Sequence, residues 1–242
     1  MRFILIILVI TLYGCHSKTD VTAQQVVDNA IKVSGGELFE AKKVTFKFRD
    51  YQYTSSKSRQ GFKLTRSKIQ GNDTLLDIKN GKDFTRSINN SLVSLADSTA
   101  QNFANSINSV HYFAKLPYGL NDEAVNKELL ADETLFEKEY YKVKVTFNQQ
   151  NGGEDFEDVY LYWIGKNDFK IDFLAYSFTV NGGGYRFRKA YNERFVKAIR
   201  FVDYENYAPI NSNIHLDEIG RLFEAGKLKL LSKIELENVK VE

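Results

Sequence analysis

The chain has 242 residues, 33 of them Lys or Arg and 31 Asp or Glu, and its formal charge of +2 gives no general electrostatic reason to bind nucleic acid. The single cysteine, Cys15, excludes a disulfide within the chain and a thiolate metal cluster. With 14 Tyr, 18 Phe and only 2 Pro, the composition favours strands over disorder.

At the start, Arg2 supplies a short positive charge, and residues 3–12 are apolar except for Thr11. Such a run suits the core of a secretory signal and is short for a hydrocarbon layer of about 30 Å. Leu12-Tyr13-Gly14-Cys15 resembles the bacterial lipobox, in which Leu stands three positions before an invariant Cys and a small residue directly precedes it. Tyr13 is bulkier than that pattern prefers. The resemblance implies that residues 1–14 are a signal peptide, that Cys15 is acylated, and that residues 15–22 are a lipidated tether. Several acyl chains on one residue anchor stably, because each buried methylene contributes about 0.8 kcal/mol. No later segment is apolar enough to span a bilayer, so the lipid on Cys15 is the expected membrane attachment. Residues 23–242 are read as a single antiparallel β domain with one substantial core.

Thr22 followed by Gln25 predicts a capping box, and Val26, Val27, Ala30 and Ile31 recur at helical spacing until Gly35-Gly36 stops the helix. Val44, Phe46 and Phe48 then alternate with polar residues, which predicts a strand with one face covered. A second strand is expected over residues 61–69. Asn72-Asp73 turns the chain into a strand over 74–79, and Asn80-Gly81 is the strongest hairpin signal, leading to a strand with Phe84 and Ile88. Between Ser94 and Lys115, Phe103, Ile107 and Val110 share one helical face, and Pro117 ends that helix. Residues 118–139 read as loop with one short strand or turn near 128–130.

Beyond this the pattern is a ladder of hairpins. Tyr141, Val143, Val145 and Phe147 alternate with polar residues, 149–153 turn, and 158–164 return. Further strands are expected over 169–179, 185–190 and 195–204, with turns at 165–168, 181–184 and Asn192-Glu193. A helix over 216–225 ends at Gly226, and a last strand runs over 229–239. That makes nine to eleven strands joined mostly by short turns, for which antiparallel neighbours are the simplest topology. Tyr160 and Tyr162 lie on one strand face and Val159, Leu161 and Trp163 on the other, so either both faces are packed or one lines a pocket. The fold class is mainly β (α+β): a large curved antiparallel sheet or incomplete β-barrel with a few packed helices.

Four segments, residues 29–36, 140–147, 183–188 and 201–207 (FVDYENY), resemble a family of uncharacterised lipoproteins from Bacteroidota. More distantly, a helix followed by a long antiparallel sheet resembles the lipoprotein-carrier superfamily of LolA and LolB. That resemblance implies an incomplete barrel around helices, with acyl chains held in the hollow. Fold analogy alone does not carry function.

Candidate chemistry is sparse. Arg186 and Arg188 point to one face of a strand, with Tyr185, Phe187 and Lys189 opposite. They are read either as cations fixing an anionic headgroup at a pocket mouth, or as a solvated face paired with the acidic turn over 154–158. That turn lacks a calcium-loop pattern. His111 and His215 are far apart with no metal-ligand spacing, and neither a nucleophile elbow nor a phosphate or dinucleotide loop is present. No cofactor, no metal and no nucleic acid is expected, and the chain reads as a non-enzyme. The expectation is a membrane-anchored lipoprotein that binds or carries an apolar ligand such as a lipid or acyl chain in the bacterial envelope. Phe103, Ile107, Tyr162, Arg186 and Arg188 are its expected ligand contacts. An envelope scaffold that partners other envelope proteins and an envelope hydrolase are the alternatives. Lys18 and Asp20 do not make the acidic cluster associated with surface export, which favours the periplasmic side of the outer membrane over the cell surface.

Overall fold

The computed structural model describes residues 21–150, 156–179, 182–211 and 213–242. The signal peptide, Cys15 and most of the tether therefore lie outside the described residues, as do Glu154, Asp155 and Asn181 of the expected turns.

Thr22 caps the first helix, α1 (Ala23–Val33), through the reciprocal pair the sequence predicts. Its Oγ accepts from the Gln25 amide at 3.2 Å, and the Gln25 side chain accepts from the Thr22 amide at 2.9 Å. The helix buries Val26, Val27 and Ala30. It closes at Ser34, and Gly35, at φ +77°, redirects the chain into a second short helix, α2 (Gly36–Ala41), which the sequence pattern does not announce. A side chain at Gly35 would also run into the carbonyl of Ala198, so both conformation and space require glycine there.

The chain continues through β1 (Val44–Phe48), β2 (Tyr51–Ser58), β3 (Gly61–Gln70), β4 (Asp73–Asn80), β5 (Asp83–Ile88) and β6 (Ser91–Leu92) to the long helix α3 (Asp97–Ala114). A 3-10 turn at Tyr118–Asn121 leads to β7 (Val125–Leu129), β8 (Glu133–Leu135), β9 (Lys138–Phe147) and β10 (Val159–Gly165). Next come β11 (Ile171–Phe178), β12 (Gly184–Val196) and β13 (Ile199–Pro209). A 3-10 turn at Leu216–Glu218 runs into α4 (Ile219–Glu224), and β14 (Leu228–Ile234) and β15 (Glu237–Val241) finish the chain. The strands form two large antiparallel sheets that do not close into a barrel. One has the order β15-β1-β2-β3-β4-β5-β6, and the other β14-β13-β12-β11-β10-β9-β7, with β8 also pairing β9.

Several elements differ from the sequence pattern, each for a physical reason. The fifteen strands among the described residues exceed the nine to eleven expected. β2 escapes notice because its inward positions include Ser55, whose burial leaves no apolar alternation to read. In the β4–β5 hairpin Asn80 pairs with Asp83, so the two loop residues are Gly81 and Lys82, and Gly81 at φ +59° supplies the first position of a II′-type turn. Asn192-Glu193 is a bulge within β12, since Tyr191 pairs with Asp203 and Arg194 with Phe201, leaving one extra residue on β12. The real turn is Lys197-Ala198, both at positive φ. The expected last strand is two strands in different sheets: β14 pairs β13, and β15 pairs β1. Asp203 fixes that crossing, accepting from the Leu236 amide at 2.9 Å and from Arg194 at 3.0 Å.

The second sheet is packed on both faces, which explains its two-sided apolar strands. On one face Tyr160, Tyr162, Ile164, Val143 and Val145 meet Val26, Val27 and Ala30 of α1. On the other, Leu161, Trp163, Phe173 and Phe187 meet Ile219 and Phe223 of α4 and its flank. Burying each such side chain is worth about 1.5–3 kcal/mol. A third cluster, with Phe39, Phe46, Tyr53, Phe201 and Leu236, joins the two sheets.

Candidate functional site

Alternation along β12 sends Phe187, fully buried, toward α4 and turns Arg186 and Arg188 to the opposite side. There a cavity of about 430 Å³ lies between the second sheet and the last turns of α3. Ser109, Val110, Phe113 and Ala114 of α3 cover it, and Phe48 and Arg49 at the end of β1 form a rim. The sheet wall comes from Asp158 and Tyr160, from Tyr176 and Phe178 of β11, and from Val202, Tyr204 and Asn206 of β13. Ser232, Ile234 and Leu236 complete it.

Arg188 is only 8 % exposed. Its guanidinium lies 3.8 Å from the Phe113 ring centre and 5.3 Å from that of Tyr176, and its Nη2 donates to the Tyr176 hydroxyl at 3.1 Å. Arg186 lies 4.7 Å from the Phe178 ring centre and donates to the Tyr185 carbonyl at 2.8 Å. The two arginines are thus held by aromatic faces rather than by a solvated strand surface. Asp158, from the acidic turn expected to pair with them, is buried in the same wall. Three arginines and one carboxylate line the cavity. Behind the wall, Tyr112 and Tyr162 share a hydrogen bond of 2.8 Å, and burial raises both phenols far above their ordinary range, so both stay neutral.

Of the five expected ligand contacts, Arg186 and Arg188 border the cavity and Phe103, Ile107 and Tyr162 do not. Phe103 sits more than two turns before the covering end of α3, with the Arg86 guanidinium 3.7 Å from its ring centre. Ile107 is fully buried on that helix, and Tyr162 is core, one step deeper along β10 than Tyr160. Helical and strand periodicity identify a shared face but not the level along the axis at which a cavity opens. The β13 and β14 contacts escaped the sequence reading, although the inward alternation of Val202, Tyr204 and Asn206 within FVDYENY was a signal for them.

Two other hollows are less suited to an apolar ligand. A groove of about 1230 Å³ over α1 and α2 is edged by the carboxylates of Asp28, Glu37, Glu40 and Asp122. A small hollow of about 270 Å³ on the other side of α3 holds Lys79, His111, Lys115 and Asp122. Burial there lowers Lys115 to about 8. Among the described residues no group of three His, Cys, Asp or Glu side chains is placed to hold a metal ion. Nor is any described helix long and apolar enough to cross a membrane.

The model of DUF6503, a family of unknown function, matches residues 1–236. No curated protein matches the sequence. Among solved structures the chain is similar to a LolA superfamily protein from Nitrosomonas europaea, with 13% identity and a TM-score of 0.50 over 92% of this chain and 94% of that one. It is also similar to a DUF1329 family protein from Desulfovibrio piger, at 11% identity and a TM-score of 0.43 over 91% and 93% of the two chains. A domain from Vibrio parahaemolyticus assigned to outer membrane lipoprotein sorting is 7% identical, with a TM-score of 0.45 over 84% and 99%. The distant likeness to the LolA superfamily read from the sequence therefore holds at the level of fold.

Proposed function

The chain belongs to DUF6503, and because that family has no known function, we propose from the cavity itself that the protein binds or carries an apolar ligand such as a lipid or acyl chain. The observation that carries this reading is the hollow of about 430 Å³ between α3 and the second sheet, walled by Val110, Phe113, Tyr176, Val202, Tyr204 and Ile234. Its size lies in the range of small-molecule sites, roughly 300–1,000 Å³. Each methylene that enters contributes about 0.8 kcal/mol, so a chain of several carbons gains useful affinity from the walls alone. The fold likeness to a LolA superfamily protein is consistent with the acyl-chain cargo that the sequence resemblance implies. The lipobox at Leu12-Tyr13-Gly14-Cys15 supports a lipid tether to the bacterial envelope, on the periplasmic face of the outer membrane. We read the domain as a binding protein, because the described lining is mostly apolar and aromatic side chains with a few polar groups, the makeup of a ligand pocket.

The test is native mass spectrometry of the full chain purified from its own envelopes, with displacement of a fluorescent fatty-acid probe. Copurifying lipid and probe binding are expected, and Val202→Trp, which fills the hollow, should abolish both. Absence of lipid together with absence of probe binding would refute the reading. A scaffold reading draws on Ile69 and Leu92, each 78 % exposed, and on Ile88 at the free end of the first sheet. Envelope crosslinking that depends on these three residues, with an empty cavity, would favour it instead.

A further inference from the structure

Strand register grades the cavity wall from polar to apolar. Arg188 stands opposite Asn206, and Asn206 opposite Ser232, so β12, β13 and β14 present one polar row across the sheet. Arg186 lies two residues further toward the start of β12, beside Tyr176. In the other direction the next row holds Tyr204 opposite Ile234, and beyond it come Val202 and Leu236. At about 3.4 Å per residue, the apolar end lies roughly 14 Å from the Arg188 row.

The polar row also carries unused hydrogen-bonding capacity. Nε of Arg188 is buried and has no partner, on a side chain that is 8 % exposed. Oδ1 of Asn206 is likewise buried without a partner, while its Nδ2 reaches Ser232 Oγ at 3.3 Å. Turning that amide over lets the Ser232 hydroxyl donate to Oδ1 and leaves Nδ2 as a second unpaired donor in this row. A buried guanidinium N–H without an acceptor costs free energy until a ligand supplies one.

Resting on the apolar-ligand reading above, we propose that the ligand is a single-chain acidic amphiphile. Its carboxylate or phosphate monoester accepts from Arg188 Nε and from Arg186, and its hydrocarbon chain runs toward Val202 and Leu236. The excess of arginine over carboxylate in the lining favours the anion, and the planar guanidinium suits two-oxygen acceptors. Asn206 supplies the neutral donor beside it.

The experiment measures displacement of a fluorescent fatty-acid probe from the full chain held in nanodiscs. The competitors are palmitate, palmitoyl lysophosphatidate and neutral monopalmitoylglycerol. At least one acidic competitor should bind about tenfold or more tightly than the neutral one, as charge-assisted hydrogen bonds predict. Which of the two does so identifies the head. Arg186→Gln and Arg188→Gln should each bring the ratio of acidic to neutral affinity close to one. Circular dichroism melts monitor folding, and half-buried Arg186 provides the variant least exposed to a folding defect. Equal affinity for acidic and neutral competitors overturns the headgroup assignment while the apolar-ligand reading stands. If no competitor displaces the probe and the probe itself does not bind, both fall.

Discussion

His111 makes folding stability sensitive to mild acid. It lies on the buried face of α3, 1 % exposed, with the rings of Phe46 and Tyr53 each 5.6 Å from its own. Its Nε2 faces the Thr65 carbonyl at 3.3 Å, so the ring donates there, and buried Nδ1 has no partner for an added proton. Burial, and then the nearby charge of Lys115, lower its pKa from 6.5 to about 3 against the opposing Thr65 hydrogen bond. Above pH 6.5 the ring is neutral in both states. As pH falls from 6.5 toward 3, the unfolded chain takes up a proton that the fold refuses, and stability drops. At pH 5 the difference is about 1.5 pK units of extra protonation in the unfolded state, or about 2 kcal/mol. For a chain of this size that lowers Tm by roughly 4–8 °C. Urea unfolding at pH 7 and pH 5, followed by fluorescence of the single buried Trp163, gives the comparison. The wild-type chain should lose about 2 kcal/mol more than His111→Gln over that interval, other titrations cancelling between the two proteins. An equal loss in both, or a folded-state His111 titration near 6.5, would refute the reasoning.

Three further outcomes are expected. Asp77, fully buried, accepts from Arg66 and Arg86 at 2.6–3.0 Å, and Asp77→Ala leaves two partly buried guanidinium groups without their carboxylate. Chemical denaturation should register a loss of about 3–5 kcal/mol, and a loss below 1 would contradict the assigned burial. A Cβ at Gly220 of α4 would approach Trp163 to 2.9 Å, so Gly220→Ala should destabilise by about 1–3 kcal/mol and shift Trp163 emission; an unchanged melt and spectrum would contradict this packing. Cys15→Ala should abolish acyl labelling and precursor cleavage in cells, and unchanged labelling would remove the lipobox reading.

What the sequence disclosed is what local chemistry decides. The Thr22–Gln25 cap lies within one turn and is formed as predicted, and the Arg186/Phe187/Arg188 alternation follows from the pleat alone. Which face of β12 meets water is a different matter, because it depends on what α3 and α4 cover from far along the chain. An arginine pair that resembles a solvated strand therefore lies against Phe113, Tyr176 and Phe178. The break between β14 and β15 is equally non-local, since the Leu236 amide in the link between them and the Arg194 side chain of β12 converge on Asp203 of β13. Tyr160 and Tyr162 show the limit at its sharpest. They share one strand face two residues apart, yet only Tyr160 reaches the cavity, because Tyr112 closes over Tyr162 with a hydrogen bond. A helix side chain 50 positions away in sequence thus decides which tyrosine a ligand can touch, and no periodicity within β10 encodes it.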